Sequence, residues 1–350
     1  MCIYLGEQAG LTYHKREHIF PAAIGGIHML EKGWVSDQAN EFFSPLELHV
    51  FRKSFVNFVK AYEGPGERGY TGENPKKTPK TGISLGTDEK GEWFLGYVSY
   101  GKPYCIMQLH RKGEGSYKVF YSREAGNEFD FIKAMRAFNG KFVTIISKEF
   151  PKDEFIIGFH DKKYFVAASE RNISMEQIQT ELTAFLSAFD GEKKVTIKSG
   201  EENSQVELQL QMEETYSEER VFAKIALNVL ANHKGKEYVE DSRFDEIKSF
   251  ILGENLDNRE MHLPKINLEK NIFPEKSHWC VFLQEDGRLL AIVCLYNMIS
   301  HCIDLGVATD DLGKGTWPDG MICDWRNKKE YTFMEWMVEM AKYIAGDGEI

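Results

Sequence analysis

Cysteine is scarce in this 350-residue chain: there are six, and none stands in a Cys-x-x-Cys pair. A disulfide framework is therefore excluded, and the reducing cytoplasm is the expected compartment. Long apolar runs are missing too. The nearest approach, residues 289–305, is interrupted by Asn297, Ser300, His301 and Asp304, so no membrane helix is expected. The N-terminus, Met1-Cys2-Ile3-Tyr4-Leu5, lacks the basic region and apolar core of a secretory leader. Ten prolines beside 30 glycines exclude a collagen-like or linker-dominated chain.

What is present describes a globular protein. Hydrophobic residues make up 42% and aromatics 13%, more than a disordered chain carries. The length suits two or three domains with proper cores. The net charge of −11 is unevenly spread. Residues 1–80 hold ten Lys/Arg against nine Asp/Glu, whereas the remaining 270 hold 33 against 45. An acidic body of that kind excludes loose binding of nucleic acid over the whole surface. It leaves the first 80 residues as the place for a polyanion contact.

Periodicity gives an α+β fold in three segments. In residues 1–80, a short β/turn segment leads to a helix capped by Ser36-Asp37, with Val35, Phe42, Phe43, Leu46, Val50 and Phe51 at near-helical spacing. Pro45 either kinks that helix or begins it. The Gly- and Pro-rich stretch 63–82 reads as a loop and boundary. Residues 81–212 read as β-rich, with strands at 93–100, 104–110, 117–121, 142–147, 155–160, 193–197 and 206–212. Helices interrupt them at 128–138 and 174–189, the second opening on the capping box Ser174/Gln177. Residues 213–350 read as two helices within 217–253, a hairpin turning at Glu285-Asp286-Gly287, and a final helix at 333–344.

The stretch that carries chemistry is 11–44. Glu17-His18-Ile19-Phe20-Pro21 sets a carboxylate beside an imidazole, Gly25-Gly26 makes a turn, and Asn40 follows near the start of a helix. Carboxylate and amide oxygens are hard ligands suited to Mg²⁺ or Mn²⁺. An imidazole can take a proton from water at neutral pH. These are the parts for metal-assisted phosphodiester hydrolysis, although an isolated Glu-His pair also occurs by chance.

Order and spacing resemble the HNH endonuclease family, whose ββα-metal fold sets two strands and a helix around one divalent ion. The matching elements are Cys2-Ile3-Tyr4-Leu5-Gly6, Glu17-His18-Ile19-Phe20-Pro21, Gly25-Gly26 and Asn40, within about the first 70 residues. The resemblance implies that His18 is the general base and that Glu17 and Asn40 hold Mg²⁺ or Mn²⁺. The middle Asn of the family name falls near Gly33 and is not matched. In the zinc-stabilised branch four cysteines hold a structural ion; here Cys2, Leu5, Ser36 and Ala39 fill those places, so no structural zinc is expected. Segments such as 64–69, 220–228 and 244–247 also accompany this motif in some chains of this type.

The resemblance implies an endonuclease acting on nucleic acid, DNA being the expected substrate, in a setting such as restriction or phage defence. The alternative is a protein that keeps the small fold for binding or assembly without catalysis. Arg16, Arg52, Arg68, Lys76 and Lys77 are the candidate phosphate contacts, each an ordinary solvated residue otherwise. His14, His28 and His49 are further candidate metal ligands. The aromatic-rich segments at Trp317 and Trp325 either stack bases or cap the core. A homo-oligomer or a protein partner is compatible with all of this.

Overall fold

The computed structural model describes residues 1–65, 80–113, 116–120, 128–169, 174–190, 207–209, 216–254, 256, 272–315 and 318–344. Arg68, Lys76, Lys77, Trp317 and the strand expected at 193–197 lie outside the described residues. The fold is α+β. The chain divides into two compact units, Met1–Pro79 with Met212–Ile350, and Lys80–Gln211. The first and third segments expected from the sequence thus share one unit, with the second inserted between them.

The N-terminal part contributes α1 (Asp37–Lys53) and α2 (Phe55–Glu63). The Ser36 side chain caps α1 by accepting from the Ala39 N–H at 3.2 Å. Pro45 lies within α1 rather than at its start. The carbonyl it leaves without a helical donor is that of Glu41, and both residues are exposed, so water can replace the lost bond. The helix breaks at Ser54, whose side chain caps α2.

The inserted unit holds β1 (Ser84–Thr87), β2 (Trp93–Ser99), β3 (Lys102–Cys105), β4 (Met107–Arg111), β5 (Tyr117–Phe120), α3 (Glu128–Arg136), β6 (Val143–Ile146), β7 (Phe155–His160), β8 (Lys163–Ala168), α4 (Met175–Asp190) and β9 (Glu207–Gln209). They form two sheets, ordered β3-β2-β1-β9 and β5-β4-β7-β8-β6. The expected strand 104–110 is in fact two. Cys105 pairs with Gly96 in one sheet and Met107 with Phe159 in the other, so the chain crosses between sheets at the buried Ile106. Ser174 and Gln177 form the capping box in both directions, at 3.0 and 3.1 Å.

The chain then returns to the first unit with α5 (Ser217–Lys234), α6 (Lys236–Val239), α7 (Asp245–Leu252), β10 (His278–Glu285), β11 (Arg288–Leu295), β12 (Ile299–Val307), β13 (Asp319–Asp324), β14 (Lys329–Thr332) and α8 (Phe333–Ile344). The strands form an antiparallel sheet, β12-β11-β10-β13-β14. Both faces of its centre are buried. Cys280, Phe282, Ala291 and Val293 join a core with α1, α5 and α7, while Trp279, Val281, Ile292 and Cys294 join another with α8. Two covered faces explain why these strands read as apolar runs without alternation. The expected hairpin is the centre of this sheet; Trp325 is buried and donates to the Lys276 carbonyl at 2.8 Å. Among the described residues no helix is long and apolar enough to cross a membrane.

His278 ties the sheet to the N-terminal turn. Its Nε2 donates to the Ile24 carbonyl and its Nδ1 accepts from the Tyr296 N–H, each at 2.9 Å. Burial pushes its pKa down to about 3, against a smaller upward pull from the Ile24 carbonyl. An unfolded histidine titrates near 6.5, so between those values the unfolded chain binds a proton that the folded one does not. Stability from this group is therefore complete above about pH 6.5 and falls by about 1.4 kcal/mol per unit below it. Urea denaturation at pH 7 and pH 5 should differ by roughly 2 kcal/mol more in the wild type than in His278→Gln. Equal pH dependence in the two would contradict the assignment.

Candidate active site

The motif begins as a short antiparallel pairing. The Leu30 N–H donates to the Glu17 carbonyl at 2.8 Å and the Ile19 N–H to the His28 carbonyl at 3.0 Å, with His18 bridged to Met29. The turn between them needs its two glycines for different reasons. Gly25 has φ +96°, and a Cβ there would lie 2.6 Å from the Trp325 Cβ. At Gly26 a Cβ would lie 1.8 Å from the Phe20 carbonyl oxygen. Glu330 of β14 holds the far side, accepting from the Ile27 and His28 N–H groups at 2.9 and 2.8 Å.

Glu17 is brought to two residues that the sequence did not single out as site residues, although one of them lies in the 220–228 segment that accompanies the motif in some chains of this type. Its carboxylate accepts from the ammonium of Lys224 on α5, and the same Nζ donates to Glu47 Oε1 of α1 at 2.7 Å. Lys224 is fully buried, while the side chains of Glu17 and Glu47 are 11% and 23% exposed. The ammonium also lies 5.2 Å from the centre of the Phe43 ring. Burial opposes the charge on Lys224, but the two carboxylates together outweigh it and raise its pKa, so it stays protonated. Burial raises the pKa of Glu17, with Lys224 pulling it back and Glu47 adding to the rise. Removing one member of a buried ionic cluster leaves an uncompensated charge and costs about 3–5 kcal/mol.

His18 is half-buried, and its ring makes no hydrogen bond among the described residues. Burial lowers its pKa, Glu47 opposes that, and Lys224 adds to it, so the imidazole is neutral at pH 7. Its backbone is held by Asn228, one turn past Lys224, whose Nδ2 donates to the His18 carbonyl at 3.0 Å. Tyr4 in turn donates to Asn228 Oδ1 at 2.6 Å.

Asn40 stands in the first turn of α1, with Phe43 and Glu47 three and seven residues on, along one helix face. Its Nδ2 is buried without a hydrogen-bond partner among the described residues. The other candidates fall elsewhere. His49, nine residues past Asn40, projects about 180° away around α1, and Arg52 about 140° from Glu47. Arg16 directs its donors to the hairpin, bonding the Leu30 and Met29 carbonyls at 2.9 Å each. His14 pairs with Asp37 at 2.7 Å and His28 with Glu330 at 3.3 Å.

The places of the expected cysteines come together at the start of α1. Cys2 and Gly6 close a turn by mutual backbone bonds of 3.0 and 2.8 Å, and the Ser36 N–H donates to Cys2 Sγ at 3.4 Å. Ser36 and Ala39 are buried, and Leu5 packs against the same core. One thiol, one hydroxyl and two apolar side chains cannot supply the four ligands of a structural zinc.

Among the described residues no three His, Cys, Asp or Glu side chains cluster as a metal cage. Mg²⁺ asks for less, one or two carboxylates with water filling the rest. Glu17 and Glu47 each keep a second oxygen with no partner among the described residues. An amide flip would put the Asn40 oxygen where its unsatisfied nitrogen lies. Oxygen donors of this kind suit a hard divalent ion, and the shared Lys224 brings Glu17 and Glu47 together, while Asn40 stands two turns before Glu47 on α1. Comparison with protein-family models, curated proteins and solved structures finds no match.

The glycine geometry gives a clean contrast. Gly33 also has positive φ, but a Cβ there would meet nothing within 4 Å, so Gly33→Ala should cost about 1–2 kcal/mol. Gly26→Ala must displace backbone and should cost more than about 3 kcal/mol. Chemical denaturation of both variants checks this; equal losses would contradict the close approach at Gly26.

Proposed function

We propose that this protein is a divalent-metal-dependent phosphodiesterase of the HNH type, an endonuclease with DNA as its expected substrate. The observation that carries the reading is a half-buried imidazole whose ring has no hydrogen-bond partner among the described residues, adjacent in the chain to a carboxylate fixed by a buried lysine. Glu17, Glu47 and Asn40 would hold Mg²⁺ or Mn²⁺. When bound, such an ion supplies positive charge to the phosphate in the transition state.

The remaining work belongs to the chain. A ring nitrogen of His18 takes a proton from water as the oxygen attacks phosphorus. The bond from phosphorus to the 3′ oxygen breaks with its electron pair on that oxygen, which takes a proton from solvent, leaving a 5′ phosphate and a 3′ hydroxyl; His18 returns its proton to solvent. Burial keeps His18 able to accept that proton at neutral pH, and its backbone bonds fix the ring's origin. Lys15 and Arg16 offer positive charge beside the hairpin for the phosphate backbone. A cytoplasmic setting in restriction or phage defence, with a homo-oligomer or protein partner, belongs to the same proposal.

One observation favours a second reading. Lys224 already neutralises Glu17, as a non-catalytic binding or assembly protein of this fold would tolerate. Supercoiled plasmid incubated with Mg²⁺, Mn²⁺ or EDTA separates the two. The wild type should nick it with either metal and not in EDTA, and His18→Ala should be slower by at least about 100-fold. Equal cutting by both proteins would refute the role of His18. No cutting, with no rise in Tm on adding Mn²⁺, would favour the second reading.

A further inference from the structure

Lys224 and Asn228 sit one turn apart on a helix face whose other members, Val221, Leu227 and Ala231, are apolar and fully buried. Packing alone does not call for a lysine there, because apolar side chains of similar volume commonly replace buried ionic groups without loss of stability. What distinguishes the two residues is what they hold. Lys224 takes the side chain of Glu17, and Asn228 takes the backbone of His18, across 207 and 210 residues of sequence. Asn228 is itself fixed by Tyr4. Because Glu17 and Glu47 bond one nitrogen through Oε1, those oxygens are no further apart than two hydrogen-bond lengths. Their second oxygens have no hydrogen-bond partner among the described residues.

We propose that Lys224 and Asn228 are positioning residues of the hydrolytic site, Lys224 by fixing the directions of the Glu17 and Glu47 carboxylates and Asn228 by fixing the backbone that carries the His18 ring. The site is then completed only by α5, from the far end of the chain. This rests on the nuclease reading above. Neither residue touches the reacting atoms; both set the distance between carboxylate and imidazole, and small errors in such a distance slow a reaction without weakening substrate binding.

The test uses the full chain, with wild type, Asn228→Leu, Lys224→Ala, and the double variant Lys224→Met with Glu47→Gln. The double variant keeps the net charge of the cluster at its wild-type value; because it also lacks the Glu47 carboxylate, its reference is Glu47→Gln alone. Circular dichroism reports folding, plasmid nicking gives kcat and KM, and a Mn²⁺ titration followed by Tm reports metal binding without turnover. Folded Asn228→Leu against wild type, and the folded double variant against Glu47→Gln, should each lose at least about tenfold in kcat with KM within about twofold. The double variant should also need more Mn²⁺ for half its thermal shift than Glu47→Gln does. Nicking by Lys224→Ala should recover in part with added methylammonium, a cation small enough to replace the lost one.

Should Lys224→Ala fail to fold, the other two variants decide. Folded Asn228→Leu with wild-type kcat, and a folded double variant with the kcat and Mn²⁺ midpoint of Glu47→Gln, would overturn the proposal while leaving the nuclease reading intact. So would losses that track only the unfolded fraction. A wild type that neither nicks nor takes up Mn²⁺ would overturn both.

Discussion

The ammonium of Lys224, shared between Glu17 and Glu47, is the contact on which the arrangement of the first unit depends. It joins three segments that are distant in sequence: the hairpin of the motif, the middle of α1 and the centre of α5. Its strength has a physical source. A charged group deprived of water must be matched by opposite charge and filled hydrogen bonds, or it destabilises the fold by several kcal/mol. Two carboxylates reaching outward to partial exposure meet that demand. The sequence pays for this device in one place, the interior of the most buried helix.

The rest of the unit follows from holding these segments together. Asn228 extends the same helix face to the His18 backbone, and Tyr4 packs edge-on against Phe43 at 4.7 Å while donating to Asn228. Glu330 and His278 bring the sheet to the Gly25-Gly26 turn from the other side. A short hairpin of this size has too little core to stand alone. The N-terminal turn closed by Cys2 and Gly6 is likewise held by packing, since its thiol bonds only a backbone N–H. Ile3, Ile19, Phe20 and Val35 are buried in the core of this unit.

Local signals are readable wherever a few neighbouring residues decide the structure. Ser36 as a cap, the Ser174/Gln177 box, the glycine turn and the span of α8 are all of this kind. Glu17, His18 and Asn40 are legible because carboxylate, imidazole and amide stand in a short ordered stretch. Glu47 left a weaker trace, two helical turns past Asn40 on the same face. Lys224 falls in the 220–228 segment that accompanies the motif in some chains of this type, but its role left no trace beyond a charge on an apolar stripe, because nothing local names a partner 207 residues away. The same limit hid β13, where Gly320 passes under the Cys280 carbonyl, and the crossing of the chain between sheets at Ile106. These depend on which strands meet, which period and propensity do not determine.

Native-state hydrogen exchange on the intact protein tests most directly whether the motif is held by α5. If it is, the amides of Ile19 and Leu30 in the hairpin open together with those in the middle of α5, at a free energy close to that of global unfolding. Hairpin amides that exchange at a much lower free energy, while the centre of α5 stays protected, would contradict it.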